Sequence, residues 1–186
     1  MSFNLNRAGS TLLLTLSLSL LLPATGAPRN RTPSLDPIAT QALITALAGP
    51  VGEYAARAEY AAVLAKFGAG IQPYANLLEA ENRHIAALQQ QCQKYGVPVP
   101  PDEVWGTVTA PATLLEAAEA GVLTETLNAA MYDGLLTQVT AYPSLVQVFS
   151  TLRDASRDQH LPALTAAVAN DGQLPTVIQR NPRVRR

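Results

Sequence analysis

Residues 97–111, VPVPPDEVWGTVTAP, hold four prolines and a glycine, and no helix survives that density of breakers. The stretch reads as a long connection. It constrains the fold because it divides a chain whose other segments are built from helix formers. Before it, Asp36-Pro37 has the chemistry of an N-cap followed by a first helical residue, and a helix runs on through IATQALITALA. Gly49-Pro50 interrupts or kinks it, and VGEYAARAEYAAVLAKFG carries it on to Gly68. After the loop GAGIQ, PYANLLEAENRHIAALQQQCQKYG forms a second helix, ended by Gly96. Beyond the connection, ATLLEAAEAGVLTETLNAAMYDGLLTQV is a third, with Gly121 and Gly134 as weak points. TAYP is a tight turn, and SLVQVFSTLRDASRDQHLPALTAAVA is a fourth, bent by Pro162.

Alanine and leucine dominate these runs, and only 5% of residues are aromatic. Stretches rich in β-branched residues are scarce, so the composition supports an all-α chain. Two short loops and one long one suit a four-helix bundle, its crossover joining the second and third helices.

The ends read differently from the middle. MSFNLNRAG, STLLLTLSLSLLL and PATGA follow the order of a secretory signal: a cationic start, an apolar stretch and small residues before cleavage. Cutting after Gly26 leaves residues 1–26 as signal peptide and 27–36 as a proline-rich linker. The apolar stretch is short against the roughly 20 residues of a membrane span. A secreted or envelope location is expected, with no transmembrane segment after cleavage. The single cysteine, Cys92, rules out an intrachain disulfide and reads as a small buried apolar residue. From Asp36 to Asp171 the chain carries all 14 acids against six bases, a net −8. That argues against a nucleic-acid partner. The bundle spans 37–170, and 171–186 is a short basic tail.

The chain has two histidines, one in the second helix and one in the fourth. In EAENRHIAAL, Glu81 precedes His84 by three residues, so the two share one helix face. A bundle that holds two metal ions draws one Glu from each of two helices and a Glu-x-x-His pair from each of the other two. Glu81 and His84 fit one such pair. Glu53, in GEYAARAEY, lies seven residues before Tyr60, and Glu125, in ETLNAAMY, lies seven before Tyr132, so each pair follows one stripe. Tyr60 and Tyr132 are candidate partners that orient the carboxylates. The fourth helix departs from the pattern, because Arg157 stands three residues before His160. Asp158 is the alternative ligand there, and a π-bulge next to Pro162 would bring it round.

Four segments also carry a family resemblance: EYAARAEYAAVLAKFG, EAENRHIAALQQQCQKYG, AGVLTETLNAAMYDGLL and SRDQHL. Together they resemble the bacterial ferritin-like family known as domain of unknown function 2202, over about residues 40–170. GEYAARAEY is also similar to the first ferritin-like helix of rubrerythrins, in which the Glu matching Glu53 is a di-iron ligand. The resemblance implies a ferritin-like bundle with Glu53, Glu81, His84, Glu125 and His160 as metal ligands. Iron or manganese is then the expected cofactor, and O2 or peroxide the expected reactant. A second reading is a bundle of the same fold with a reduced or lost site, acting as a non-enzymatic binding or structural protein. The chain has neither a glycine-rich phosphate loop nor a Cys-x-x-Cys motif, and Ser156 near His160 lacks the third member of a nucleophile constellation.

Overall fold

The computed structural model describes residues 34–174. The expected signal peptide, most of the linker and the tail beyond residue 174 lie outside them. Among the described residues all regular structure is helical: α1 (Pro37–Ala48), α2 (Glu53–Phe67), α3 (Tyr74–Tyr95), α4 (Leu114–Gln138), α5 (Pro143–Ala155) and α6 (Leu161–Val168), with one π-helical turn, Ser156–His160, between the last two. No helix there is long and apolar enough to cross a membrane.

Local chemistry sets each boundary. Asp36 caps α1 by accepting from the Ala39 N–H at 2.8 Å, and Pro37 occupies the first turn, where its missing N–H costs nothing. The expected break at Gly49-Pro50 is real and splits the first helix into α1 and α2. A Cβ on Gly52 would sit 2.8 Å from the Ala46 carbonyl oxygen, so only glycine lets the chain turn this closely against the end of α1. The break starts α2 at Glu53, within the positive end of the helix dipole. α3 ends at Gly96 in the left-handed region, where the Val97 N–H returns to the Cys92 carbonyl. α4 opens on a reciprocal capping box between Thr113 and Glu116.

Two expectations about weak points change. Gly121 does not loosen α4, which runs unbroken through it and through Gly134. A Cβ at Gly121 would meet Leu164 Cδ2 at 2.8 Å, so the glycine is what lets α4 lie close against α6. Beside Pro162 the fourth helix carries the expected π-helical irregularity and continues through it. Proline cannot donate to the carbonyl four residues back, and its ring crowds that oxygen. The wider turn just before it absorbs the misfit: the Leu161 N–H bonds the Ser156 carbonyl, five residues back, and both junctions keep helical dihedrals.

α2 packs along α3, and α4 packs against α5 and α6. This arrangement is compatible with a four-helix bundle in which α1 and α2 together form the first member. Residues 97–113 run between α3 and α4 without regular structure, as the prolines demand. Arg57 ties this crossover to α2: it pairs with Asp102, and its guanidinium lies 4.5 Å over the Trp105 ring.

The core is in two parts. One apolar cluster joins Leu43 and Leu47 of α1 to Leu88 and Cys92 of α3, Tyr132 of α4 and Phe149 of α5. The other joins Tyr60 and Leu64 of α2 to Tyr74 and Leu77 of α3, Ala117 of α4 and Leu164 of α6. Along α3, α4 and the fourth helix, the buried polar residues fall between the two. They are Glu81, Glu125, Asn128, Ser156 and His160, joined by Glu53 from the start of α2.

A buried carboxylate and histidine layer

Four helices supply the layer. Glu53 stands on the first turn of α2, Glu81 and His84 on the middle of α3, Glu125 on the middle of α4, and His160 at the end of the π-turn. The three carboxylates are each only 1% exposed. Two groups have ligand atoms close enough to hold one ion between them: Glu53, Glu81 and His84, and Glu81, Glu125 and His160.

Glu81 belongs to both groups. Its Oε2 lies 3.1 Å from His84 Nδ1, and its Oε1 lies 3.1 Å from His160 Nδ1. The two halves match across it. His84 Nδ1 is 3.3 Å from Glu53 Oε2, and His160 Nδ1 is 3.3 Å from Glu125 Oε1. The imidazole rings stack with centroids 5.3 Å apart and planes 16° from parallel. The tyrosines cross between the halves. Tyr132 donates to Glu53 Oε1 and Tyr60 to Glu125 Oε1, each at 2.5 Å. The sequence spacing paired each tyrosine with the carboxylate on its own helix, whereas the fold gives it the carboxylate of the other.

One atom stands apart. His160 Nδ1 is buried and within ion-pair reach of two carboxylates, yet its geometry makes a hydrogen bond to neither. It lies close to both oxygens, and the three ligand atoms are near enough to one another to share a cation.

The electrostatics follow from crowding charge away from water. Burial, reinforced by the neighbouring Glu81 carboxylate, pushes Glu53 up to about 8. Burial alone would raise Glu81 too, but the hydrogen bonds of Glu53 and His84 and the His160 imidazole beside it outweigh burial and bring Glu81 down to about 2. Burial opposes charge on the histidines. Glu53 and Glu81 nevertheless hold His84 up at about 10, and Glu125 and Glu81 hold His160 at about 9. Burial and the adjacent carboxylates push both Tyr60 and Tyr132 well above the usual phenol value, so each keeps its proton and donates it. Without a cation, protons on the imidazoles and on Glu53 offset the carboxylate charge.

The fourth helix places two residues differently from the sequence reading. The π-turn is present, yet Asp158 is exposed and reaches neither group. His160 instead faces inward, with Ser156, four residues earlier, on the same face. Ser156 donates to Asn128 Oδ1 at 2.9 Å, and Asn128 Nδ2 donates to the Val51 carbonyl at 3.0 Å. This relay pins the break before α2 to α4 and the fourth helix. Sequence reasoning passed over Asn128 and weighed Ser156 only as a nucleophile. Both had a signal, since Asn128 lies three residues after Glu125 and Ser156 four before His160, spacings that share a helix face.

No family model, no curated protein and no solved structure matches this chain.

Proposed function

We propose that the chain is a ferritin-like four-helix protein whose central layer binds a pair of iron or manganese ions, one on each side of Glu81, and reduces O2 or peroxide. The observation that carries this is His160 Nδ1, buried and without a hydrogen bond although it lies 3.1 Å and 3.3 Å from oxygens of Glu81 and Glu125. Three carboxylates and two imidazoles form a donor set suited to divalent iron or manganese. When bound, such a pair supplies exchangeable electrons and open positions for a small oxidant. The chain's own residues do the rest. Tyr132 holds a proton at Glu53 Oε1 and leaves Oε2 facing His84, while Tyr60 holds one at Glu125 Oε1, the oxygen that also faces His160, so both carboxylates are fixed in place. The apolar clusters on either side keep bulk water from the layer. The resemblance to the domain of unknown function 2202 family and the secretory-type leader support the same reading, with the protein acting outside the cytoplasm.

A second reading has a specific observation behind it. The fourth helix supplies no carboxylate, because Ser156 takes the inward position before His160 and Arg157 points outward. A layer with three carboxylates is one short of the full di-metal pattern, so a reduced or non-catalytic site is the alternative.

Metal analysis by plasma mass spectrometry decides between them. The full chain loaded with Fe(II) or Mn(II) should hold about two ions per chain, and a Glu81→Ala/His84→Ala variant none. The loaded protein should then consume hydrogen peroxide. Two ions without turnover would favour the non-enzymatic reading, and none at all would remove the metal reading.

A further inference from the structure

A cavity of about 210 Å³ opens between α3 and the fourth helix and reaches His160. Its walls are Leu77 and Ala80 of α3 and Ala163 of α6, and its mouth carries Asn76, Arg83 and Gln159. Those three polar residues are exposed, while Leu77, Ala80 and His160 are buried, so polarity falls from rim to floor. Helix spacing explains the lining. Asn76, Ala80 and Arg83 follow one stripe of α3, and the π-turn sets Gln159 and His160 beside it.

The charge of the lining is one-sided. Arg83 is the only lining group with a permanent charge, and no acidic side chain lines the cavity. Among the described residues Arg83 takes part in no ion pair. A guanidinium with two neighbouring side-chain amides is an anion-binding rim. The volume is below the roughly 300 Å³ at which pockets for drug-sized ligands begin. Two other cavities, one at the α1–α2 break and one under Trp105, touch no residue of the carboxylate and histidine layer.

We infer that this cavity binds a small monoanion, held at the rim by Arg83 with Asn76 and Gln159 and seated against His160. The same positive side chain favours an anion over a divalent cation at this rim. The anion's place beside His160 stands on the cavity alone. What it does there rests on the metal reading, in which the occupant would lie next to the Glu81–Glu125–His160 half of the site.

Azide is the probe, titrated into the metal-free full chain at fixed pH and ionic strength and followed by NMR. With only two histidines in the chain, the His84 and His160 ring signals are separately assignable. The expected result is a saturable shift of the His160 ring and of the Ala80, Arg83 and Ala163 amides, with the His84 ring moving several-fold less. Arg83→Glu should weaken the response at least tenfold, and Ala163→Phe, which fills the cavity, should abolish it, each with the spectral dispersion of the parent. A non-saturating response shared with chloride overturns the inference, as does one that survives Arg83→Glu. A response centred on His84, whose side chain is 11% exposed, overturns it as well by moving the anion to the other face. Failure of the chain to bind metal would refute the proposed function and leave this result standing.

Discussion

Glu81→Gln tests the layer most directly, because Glu81 alone faces both histidines. If each three-residue group holds one ion, Glu53→Gln and Glu125→Gln each disable one group and spare the other, while Glu81→Gln disables both. Thermal unfolding reads the difference. A ligand at 100 times its Kd stabilises the native state by about 2.7 kcal/mol for each independent site. For a domain of about 140 residues, 1 kcal/mol moves Tm by about 3 °C. Saturating metal should therefore raise the parent Tm by about 16 °C, and that of Glu53→Gln or Glu125→Gln by about 8 °C. Glu81→Gln should hardly respond. The amide keeps the shape of the carboxylate, so a missing response is not a packing defect, and the metal-free Tm of each variant controls for that. The assay is differential scanning fluorimetry with Mn(II) or anaerobic Fe(II), alongside metal counts. A Glu81→Gln protein that keeps half the parent shift would refute the sharing, since one half would then bind without it. A Glu53→Gln protein with no shift at all would refute independent halves.

Titration of the metal-free chain should follow the layer. His84 and His160 are held above their ordinary 6.5, at about 10 and about 9, so the stability they contribute is full below pH 6.5 and fades as pH rises through those values. Glu53, raised from 4.5 to about 8, acts in the same sense, and Glu81, lowered to about 2, withdraws its share only as pH falls toward 2. Chemical denaturation should show the metal-free protein losing stability from about pH 4.5, where Glu53 begins to lose its proton in the unfolded chain, up to pH 10, while apparent metal affinity climbs over the same window as ions displace protons; a flat profile would contradict both. Gly121→Val should lower stability by about 1–3 kcal/mol in a urea titration, because its side chain enters the space of the fully buried Leu164. Gly134→Ala, in the same helix with nothing near its Cβ position, should instead raise stability by about 0.5–1 kcal/mol. Tyr60→Phe removes the only hydroxyl on Glu125 Oε1 and should weaken metal binding in the His160 half about 10–100-fold, read by calorimetry, while the Glu53 half keeps its affinity.

What the sequence disclosed, and what it withheld, follows from the range of each physical signal. Helix positions came from short-range punctuation, and Asp36-Pro37, Gly49-Pro50, Gly96 and the crossover prolines all act within a turn of where they stand. Glu81 and His84 were legible for the same reason, since three residues along one helix fix a shared face wherever that helix goes. Glu125 and His160 were named as well, and the misjudged residue was the one preceding the histidine. The π-turn was expected to bring Asp158 round, but it leaves Asp158 in solvent, and Ser156, four residues before His160, faces inward. The cause of the turn was in plain sight in Pro162, but proline tolerates a kink, a break or a widened turn, and packing chooses among them. The tyrosines show the limit from the other side. Spacing placed Tyr60 on the stripe of Glu53 and Tyr132 on that of Glu125, which is correct as helix geometry, yet each hydroxyl crosses to the other helix. A stripe says which way a side chain faces, and only the neighbouring helix decides what it meets. Gly121 is the same lesson without a polar group. Propensity marks it as a fault in α4, and Leu164 of α6, more than forty residues away in the chain, turns it into a point of close approach between the two helices.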